Sequence, residues 1–489
     1  MVTGSSKRIQ GIGRNRTGKR SALPRRPSEF EQLWQEVIQP WLWPSLVIGL
    51  LLVAIYRQGA ETPLDTMLFA AAASLALILA LLDRNNLKAL AKLRDWKWAA
   101  IGLLAVWMVM LIQLLPIPFL SGNTELWGRK QSVTVDPDLT FRAIVGMGSA
   151  VAFFVFGAIF AADRQRREIV LLLLSLMLPF LFFQAFDTYL SRASLFDAPD
   201  QKVSVRMEGT FLNANTFAIM MVLFFSICVG AFLSESRAYK GKERVWVRIL
   251  AMLMAIGAAA CIYLTMSRAA WLLSFGILFG LAWLLRPASR VQTSLFGFCA
   301  LLVLLIIWNS AEQLGLSIRP LDLSQGFDGR FGDWQPGLDL TGMRPILGWG
   351  AGTFARAMEP VREIPMTSSS LIVITPQNSI LLITSETGLL GLAAWTVLFV
   401  GICMFAANGL RRRSASPTLA AALILGASAA IVQSLFDFPM SIPAIAALWS
   451  FMLGYSGGLG GKTPHKRSSY KTHNSAMRHR TPSPRHISA

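Results

Sequence analysis

RMEGTFLNANTFAIMMVLFFSICVGAFLSESRAYKGKERVWVR, residues 206–248, holds the pattern from which the fold follows. Residues 214–233 carry no charge and are apolar at most positions. About 20 such residues form a helix long enough to cross the hydrocarbon core of a bilayer. On its C-terminal side, 234–248 holds Arg237, Lys240, Lys242, Arg244 and Arg248; on its N-terminal side, 206–213 holds one cation, Arg206. Basic residues gather at the cytoplasmic ends of spanning helices. The segment therefore predicts a helix running inward, with Arg206 left on the outer side.

The contrast repeats along the chain. Residues 1–39, 83–98, 162–168, 234–248, 285–290, 408–417 and 458–489 form a basic set of net charge +24, and everything else carries −5, which together give the chain's +19. About twelve apolar segments separate the two sets in strict alternation: roughly 41–56, 65–82, 98–120, 142–161, 169–187, 214–233, 249–266, 269–285, 292–309, 379–407, 418–436 and 442–457. The expected fold class is all-α: a polytopic membrane protein of about twelve transmembrane helices, both termini cytoplasmic. Of its 489 residues, 54% are hydrophobic and 15% charged, whereas soluble domains carry about 25% charged residues. The mean hydropathy is +0.50.

Residues 1–39 read as a disordered basic cytoplasmic tail that ends in a short interfacial helix from Ser28. Residues 40–457 read as the membrane domain, and 458–489 as a second disordered basic tail. The first 39 residues lack an apolar core, so no cleavable signal peptide is expected. The high isoelectric point does not indicate nucleic acid, because the cations sit beside helix ends, where they meet anionic membrane lipids. Cys228, Cys261, Cys299 and Cys403 all fall in apolar segments, so no disulfide framework is implied.

Three outer loops are long enough to hold structure: 121–141, 188–213 and the large loop 310–378. In the large loop, Asp333–Leu340, Pro345 and Gly348–Phe354 predict short helices and turns lying over the membrane. Tight links at Ser267–Arg268 and Asp437–Ser441 force antiparallel neighbours.

Carriers that couple transport to ions usually place ionisable residues inside their spans. Here such residues lie at the outer ends, which favours surface chemistry over transport. Arg206, Arg268 and Arg330 stand out there, and the large loop has five arginines and no lysine. A guanidinium grips phosphate with two parallel hydrogen bonds, which an ammonium cannot do. The plainer reading is that each arginine snorkels to lipid headgroups. Asn213 and Asn215 flank the start of a span, as helix caps or as groups that orient a sugar hydroxyl. All four histidines (465, 473, 479 and 486) lie in the C-terminal tail. The outer carboxylates Glu208, Glu386 and Asp437 are therefore the candidates for proton transfer, against the plainer reading of solvated helix-end charges. Gly348–Phe354 lacks a preceding strand and reads as a tight turn, not a cofactor loop. Gly461-Lys462-Thr463 follows a membrane helix and is no phosphate-binding loop.

These residues resemble the O-antigen ligase and polymerase superfamily of bacterial membrane glycosyltransferases. The marks are Arg-x-x-Gly-Thr-Phe-x-Asn-x-Asn at 206–215, Ser-Arg-Ala at 267–269, Arg-Pro-Ile-Leu-Gly-Trp-Gly-Ala-Gly-Thr-Phe at 344–354, and Asn-Ser-Ile-Leu-Leu with Glu-Thr-Gly-Leu-Leu-Gly at 378–391. The resemblance covers about residues 200–455. It implies a GT-C-like integral-membrane glycosyltransferase in the bacterial inner membrane that needs neither metal nor cofactor. The implied substrate is an undecaprenyl-diphosphate-linked glycan on the periplasmic side, its diphosphate held by Arg206, Arg268 and Arg330. The implied acceptor is a second glycan, for polymerisation, or lipid A core or a protein, for ligation. Family ligases carry a histidine immediately before the Asn of the late motif. Here Gln377 precedes Asn378, and glutamine orients a hydroxyl but cannot take its proton. That departure favours polymerisation over ligation. A flippase of lipid-linked sugars is the reading from another class, and it requires a polar cavity running through the membrane.

Overall fold

The computed structural model describes residues 38–93, 95–117, 132–195, 206–234, 242–285, 334–359, 375–411 and 414–460. Residues 1–37 and 461–489 of the predicted tails, the predicted span 292–309 and Arg330 lie outside the described residues. The described chain is helical: α1 (Gln39–Tyr56), α2 (Pro63–Leu82), α3 (Arg84–Lys92), α4 (Lys97–Leu114), α5 (Pro137–Ala162), α6 (Arg164–Leu195), α7 (Ala214–Leu233), α8 (Lys242–Leu264) and α9 (Arg268–Leu285). Then come α10 (334–343), α11 (Phe354–Met358), α12 (Ser379–Ala406), α13 (Pro417–Gln433) and α14 (Pro443–Leu459). Eight of these helices are long and apolar enough to cross a membrane, and α9 and α13 are shorter apolar helices. Eleven of the twelve predicted spans thus have a helical counterpart, and the twelfth is 292–309.

The helix starts are written in the sequence. Pro63, Pro137, Pro417 and Pro443 occupy the first helical positions of α2, α5, α13 and α14. The missing N–H of proline costs nothing there. Side chains of Thr62, Asp136, Asn213, Asn378 and Ser416 accept from the free N–H groups of the following turns. Two features depart from expectation. Helix α6 continues to Leu195, eating into the predicted loop 188–213. Inside the basic stretch 83–98 lies α3, capped by the Asp83 side chain through Asn85 N at 2.9 Å.

Helix α7 forms the centre of the bundle. Within its spanning window 83% of residues are buried, against 28–44% in the other seven. Around it pack α8 and α13, while α5 and α14 form the most extensive helix pair. Small residues let these two backbones touch. A Cβ on Gly157 would lie 2.3 Å from Phe451 O, and one on Gly454 would lie 2.0 Å from Phe154 O. Close approach through small residues is the usual way helices associate where no water drives them together.

Tertiary contacts sort the connections onto two ends. At the basic end, Gln39 donates to Asp83, Arg166 to Asn86, Arg411 to Asp95, Ser234 pairs with Ser416, and Tyr455 Oη donates to Arg167 O. At the other end, Met207 N donates to Leu264 O, Val135 N to Trp349 O, and Ser379 N to Ser434 O. This is the grouping that the alternating charge predicts.

Candidate functional site

At the end opposite the basic one, Arg206 runs beside the tight α8–α9 link. Its Nε donates to Thr265 O at 2.8 Å and its Nη2 to Asn215 Oδ1 at 2.8 Å. Thr265, Met266 and Ser267 make the turn, with Met266 in the left-handed region at φ 53°. Trp271 closes it by stacking on Tyr263 at 5.6 Å and donating Nε1 to Ile262 O. Arg268 opens α9 three residues after Thr265 and is exposed. Two motifs some sixty residues apart in sequence thus meet at one link: the Arg206 guanidinium bonds Thr265 O, and Arg268 opens the helix that follows the link. Neither is ion-paired among the described residues. Glu208, half-buried, follows Arg206 by two residues.

The two asparagines divide their roles. Asn213 Oδ1 accepts from Asn215 N at 2.8 Å and caps α7. Asn215 turns its own Oδ1 to Arg206. Asn378 caps α12 through Ile380 N and Leu381 N, and its Nδ2 donates to Leu435 O at 3.0 Å. Ser379 Oγ donates to Asp437 O at 3.3 Å. Gln377, just before this cap, adopts the left-handed region at φ 48°. Asp437 is buried, and one of its oxygens accepts from Phe438 N at 2.8 Å. Gln377, Asn378 and Asp437 therefore share one small region, under α10, whose Trp334 stacks on Phe436 at 6.4 Å.

The Arg206 segment and the Asp437 link meet the same turn. Phe211 and Ile442 both lie against Gly59, 2.7 and 2.6 Å from where a Cβ would stand. Gln58, Gly59 and Ala60 are all left-handed there, at φ 56°, 78° and 59°. Non-glycine residues rarely hold this conformation without support from their surroundings. Support comes from Arg57, whose Nε and Nη2 both bond Asp65.

Glu386 sits apart from the arginines. Helix α12 is broken at Gly388 (φ 66°, ψ −171°), two residues past Glu386. Chain from the outer loop fills the break. Leu389 N and Leu390 N donate to Pro345 O and Ile346 O, while Ser385 O and Glu386 O accept from Trp349 N and Gly350 N. Glu386 Oε1 accepts from Phe354 N at 3.1 Å, at the start of α11. The Gly348–Phe354 segment is the tight turn its glycines suggest, with left-handed Gly348, Gly350 and Gly352.

Two residues bind this assembly that the sequence reading did not single out for a site. Gln113 of α4 is fully buried, donating to Leu347 O at 2.6 Å and Glu386 O at 2.8 Å and accepting from Ala351 N at 3.1 Å. It is the one amide in the apolar run 97–114, and a polar side chain inside a span is itself a signal. Arg344 donates to Val133 O at 3.0 Å and stacks 4.1 Å over the Trp349 ring. Burial pushes its pKa down. Arg344 is thereby a structural member of the loop.

The described chain is thus a bundle of apolar helices with guanidinium, amide and carboxylate groups at the end opposite the basic one. Residues 250–396 match the family model described as O-antigen ligase, and that match supports the O-antigen ligase superfamily for this segment. The matched segment runs from α8 into α12 and includes Arg268, Arg344, Gln377, Asn378 and Glu386. Arg206, Glu208, Asn213, Asn215 and Asp437 lie outside it. No curated protein matches the chain. The match supports glycan transfer of the O-antigen ligase or polymerase type.

Proposed function

We propose that this protein transfers a glycan from undecaprenyl diphosphate to a second glycan, at the periplasmic face of the bacterial inner membrane and without a metal ion. The observation that carries this reading is that Arg206 bonds the link that Arg268 follows, with no carboxylate paired to either arginine among the described residues. Arg206 is oriented by Asn215 and Thr265, so its fork is set in advance of any ligand. Fixed donors aimed at developing charge are the largest single contribution to many enzymatic rates.

In the reaction, a hydroxyl oxygen of the acceptor bonds to the anomeric carbon of the donor. The bond from that carbon to the diphosphate oxygen breaks, and its electron pair leaves on the lipid diphosphate. Arg206, Arg268 and Arg330 neutralise that charge. The hydroxyl proton passes to a carboxylate. Asp437 stands in the same region as Gln377, which orients the hydroxyl, and Glu208 stands beside Arg206. Glu386 is the third candidate, but one of its oxygens already holds the start of α11.

The test is Arg206→Ala and Arg268→Ala in cells that make a polymeric surface glycan, at matched protein levels. Both variants are expected to lose the product. Normal product from both overturns the proposal. The product missing from a deletion strain separates the two chemistries. Absent polymer means polymerisation; polymer made but left unattached means ligation to lipid A core, as the family's description favours.

A further inference from the structure

Gln113 lies on α4, outside every motif that carries the proposed chemistry, yet it makes three polar contacts with chain far along the sequence. Its partners, Leu347, Ala351 and Glu386, stand 234, 238 and 273 residues away. All three belong to the break in α12 and the outer-loop segment that fills it. The amide is fully buried. It uses both ends: Nε2 gives to two carbonyl oxygens, and Oε1 takes one N–H. Only a side chain with a donor and an acceptor on one carbon does this. The broken helix leaves Glu386 O with two donors, Gln113 Nε2 and Gly350 N. Nothing else of α4 reaches the break through a side-chain hydrogen bond among the described residues.

We propose that Gln113 is a positioning residue for the transfer reaction: it fixes the broken α12 and the 345–354 segment in one register, so that this segment stands at a set place over the acceptor side of the site. The proposal rests on the glycan-transfer reading above. The arginines are held by α7, α8 and α9, while Gln113 acts on α12 and the outer loop. Its loss therefore leaves donor binding in place and slows the transfer step. A displacement of about 1 Å in groups that align reactants costs up to about 100-fold in rate.

The experiment uses the full chain in proteoliposomes, with undecaprenyl-diphosphate-linked glycan extracted from cells lacking this protein as the probe. Release of undecaprenyl diphosphate is measured by mass spectrometry. Gln113→Met keeps the length of the side chain and removes all three hydrogen bonds. Gln113→Glu keeps the acceptor for Ala351 N and removes both donations. For each variant kcat is expected to fall by about 10- to 100-fold with KM for the donor within twofold of wild type. Combining either with Glu386→Gln is expected to lower kcat by less than the product of the single effects, because the two residues hold one assembly. Wild-type kcat in Gln113→Met, or a rise in donor KM with kcat unchanged, overturns the assignment. So does full multiplicativity with Glu386→Gln. Failure of both variants to accumulate in the membrane also overturns it, since Gln113 then serves folding alone. Arg206→Ala in the same vesicles keeps the two hypotheses apart. If it loses release while Gln113→Met does not, only the positioning role fails; if it retains release, the glycan-transfer reading fails.

Discussion

Replacing Gly388 by alanine tests whether α12 is truly interrupted. At φ 66° and ψ −171°, the backbone lies in a region that only glycine occupies readily. Forcing another residue there costs about 1–3 kcal/mol. The added Cβ would also lie 2.2 Å from Ile346 O and 2.3 Å from Ile346 C, both backbone atoms that cannot swing aside. Relief requires the outer segment to retreat, and with it go the bonds Leu389 N to Pro345 O (2.8 Å) and Leu390 N to Ile346 O (3.2 Å). At about 1 kcal/mol each, these bring the expected loss to about 3–5 kcal/mol. The assay is thermal unfolding of the purified protein in detergent, paired with trypsin cleavage in 334–359. Gly276→Ala is the control, because a Cβ there meets nothing within 4 Å. The expected result is a lower melting temperature and faster cleavage for Gly388→Ala alone. Equal melting and cleavage for both variants would refute the interrupted helix.

Three further outcomes are expected. Asn213→Ala removes a helix cap and costs about 1 kcal/mol of stability with transfer preserved per folded molecule. Asn215→Ala releases Arg206 and lowers transfer at unchanged melting temperature; activity and melting measured together separate the two. Asp437→Asn keeps the link's shape and its bond from Phe438 N but removes the proton acceptor, so transfer falls by about 100-fold or more in the vesicle assay.

The path of the chain was legible because charge asymmetry marks every helix end. The described stretches of 83–98, 162–168 and 408–417 sort to one end of the bundle, as lipid electrostatics requires. The meeting of Arg206 with the Thr265–Arg268 link was legible in part: topology put both on one side, but the bonds to Asn215 and Thr265 O needed the fold. The break at Gly388 was not legible. Residues 379–407 read as one apolar run, and the backbone that heals the gap comes from about forty residues upstream. Gln113 escaped notice for the same reason, since its partners are main-chain atoms, which leave no trace in side-chain identity. Asn378 and Asn213 show the converse, where the ordinary capping role is what the structure displays.

The touching backbones of α5 and α14 bear on how this molecule moves. Phe154 O rests where Gly454 has no side chain, and Phe451 O does the same at Gly157. Sliding either rod past the other by a fraction of a turn drives these oxygens into neighbouring Cβ atoms. The pair must therefore travel as one piece. Any motion of the described bundle must therefore run along other seams and carry these two helices together.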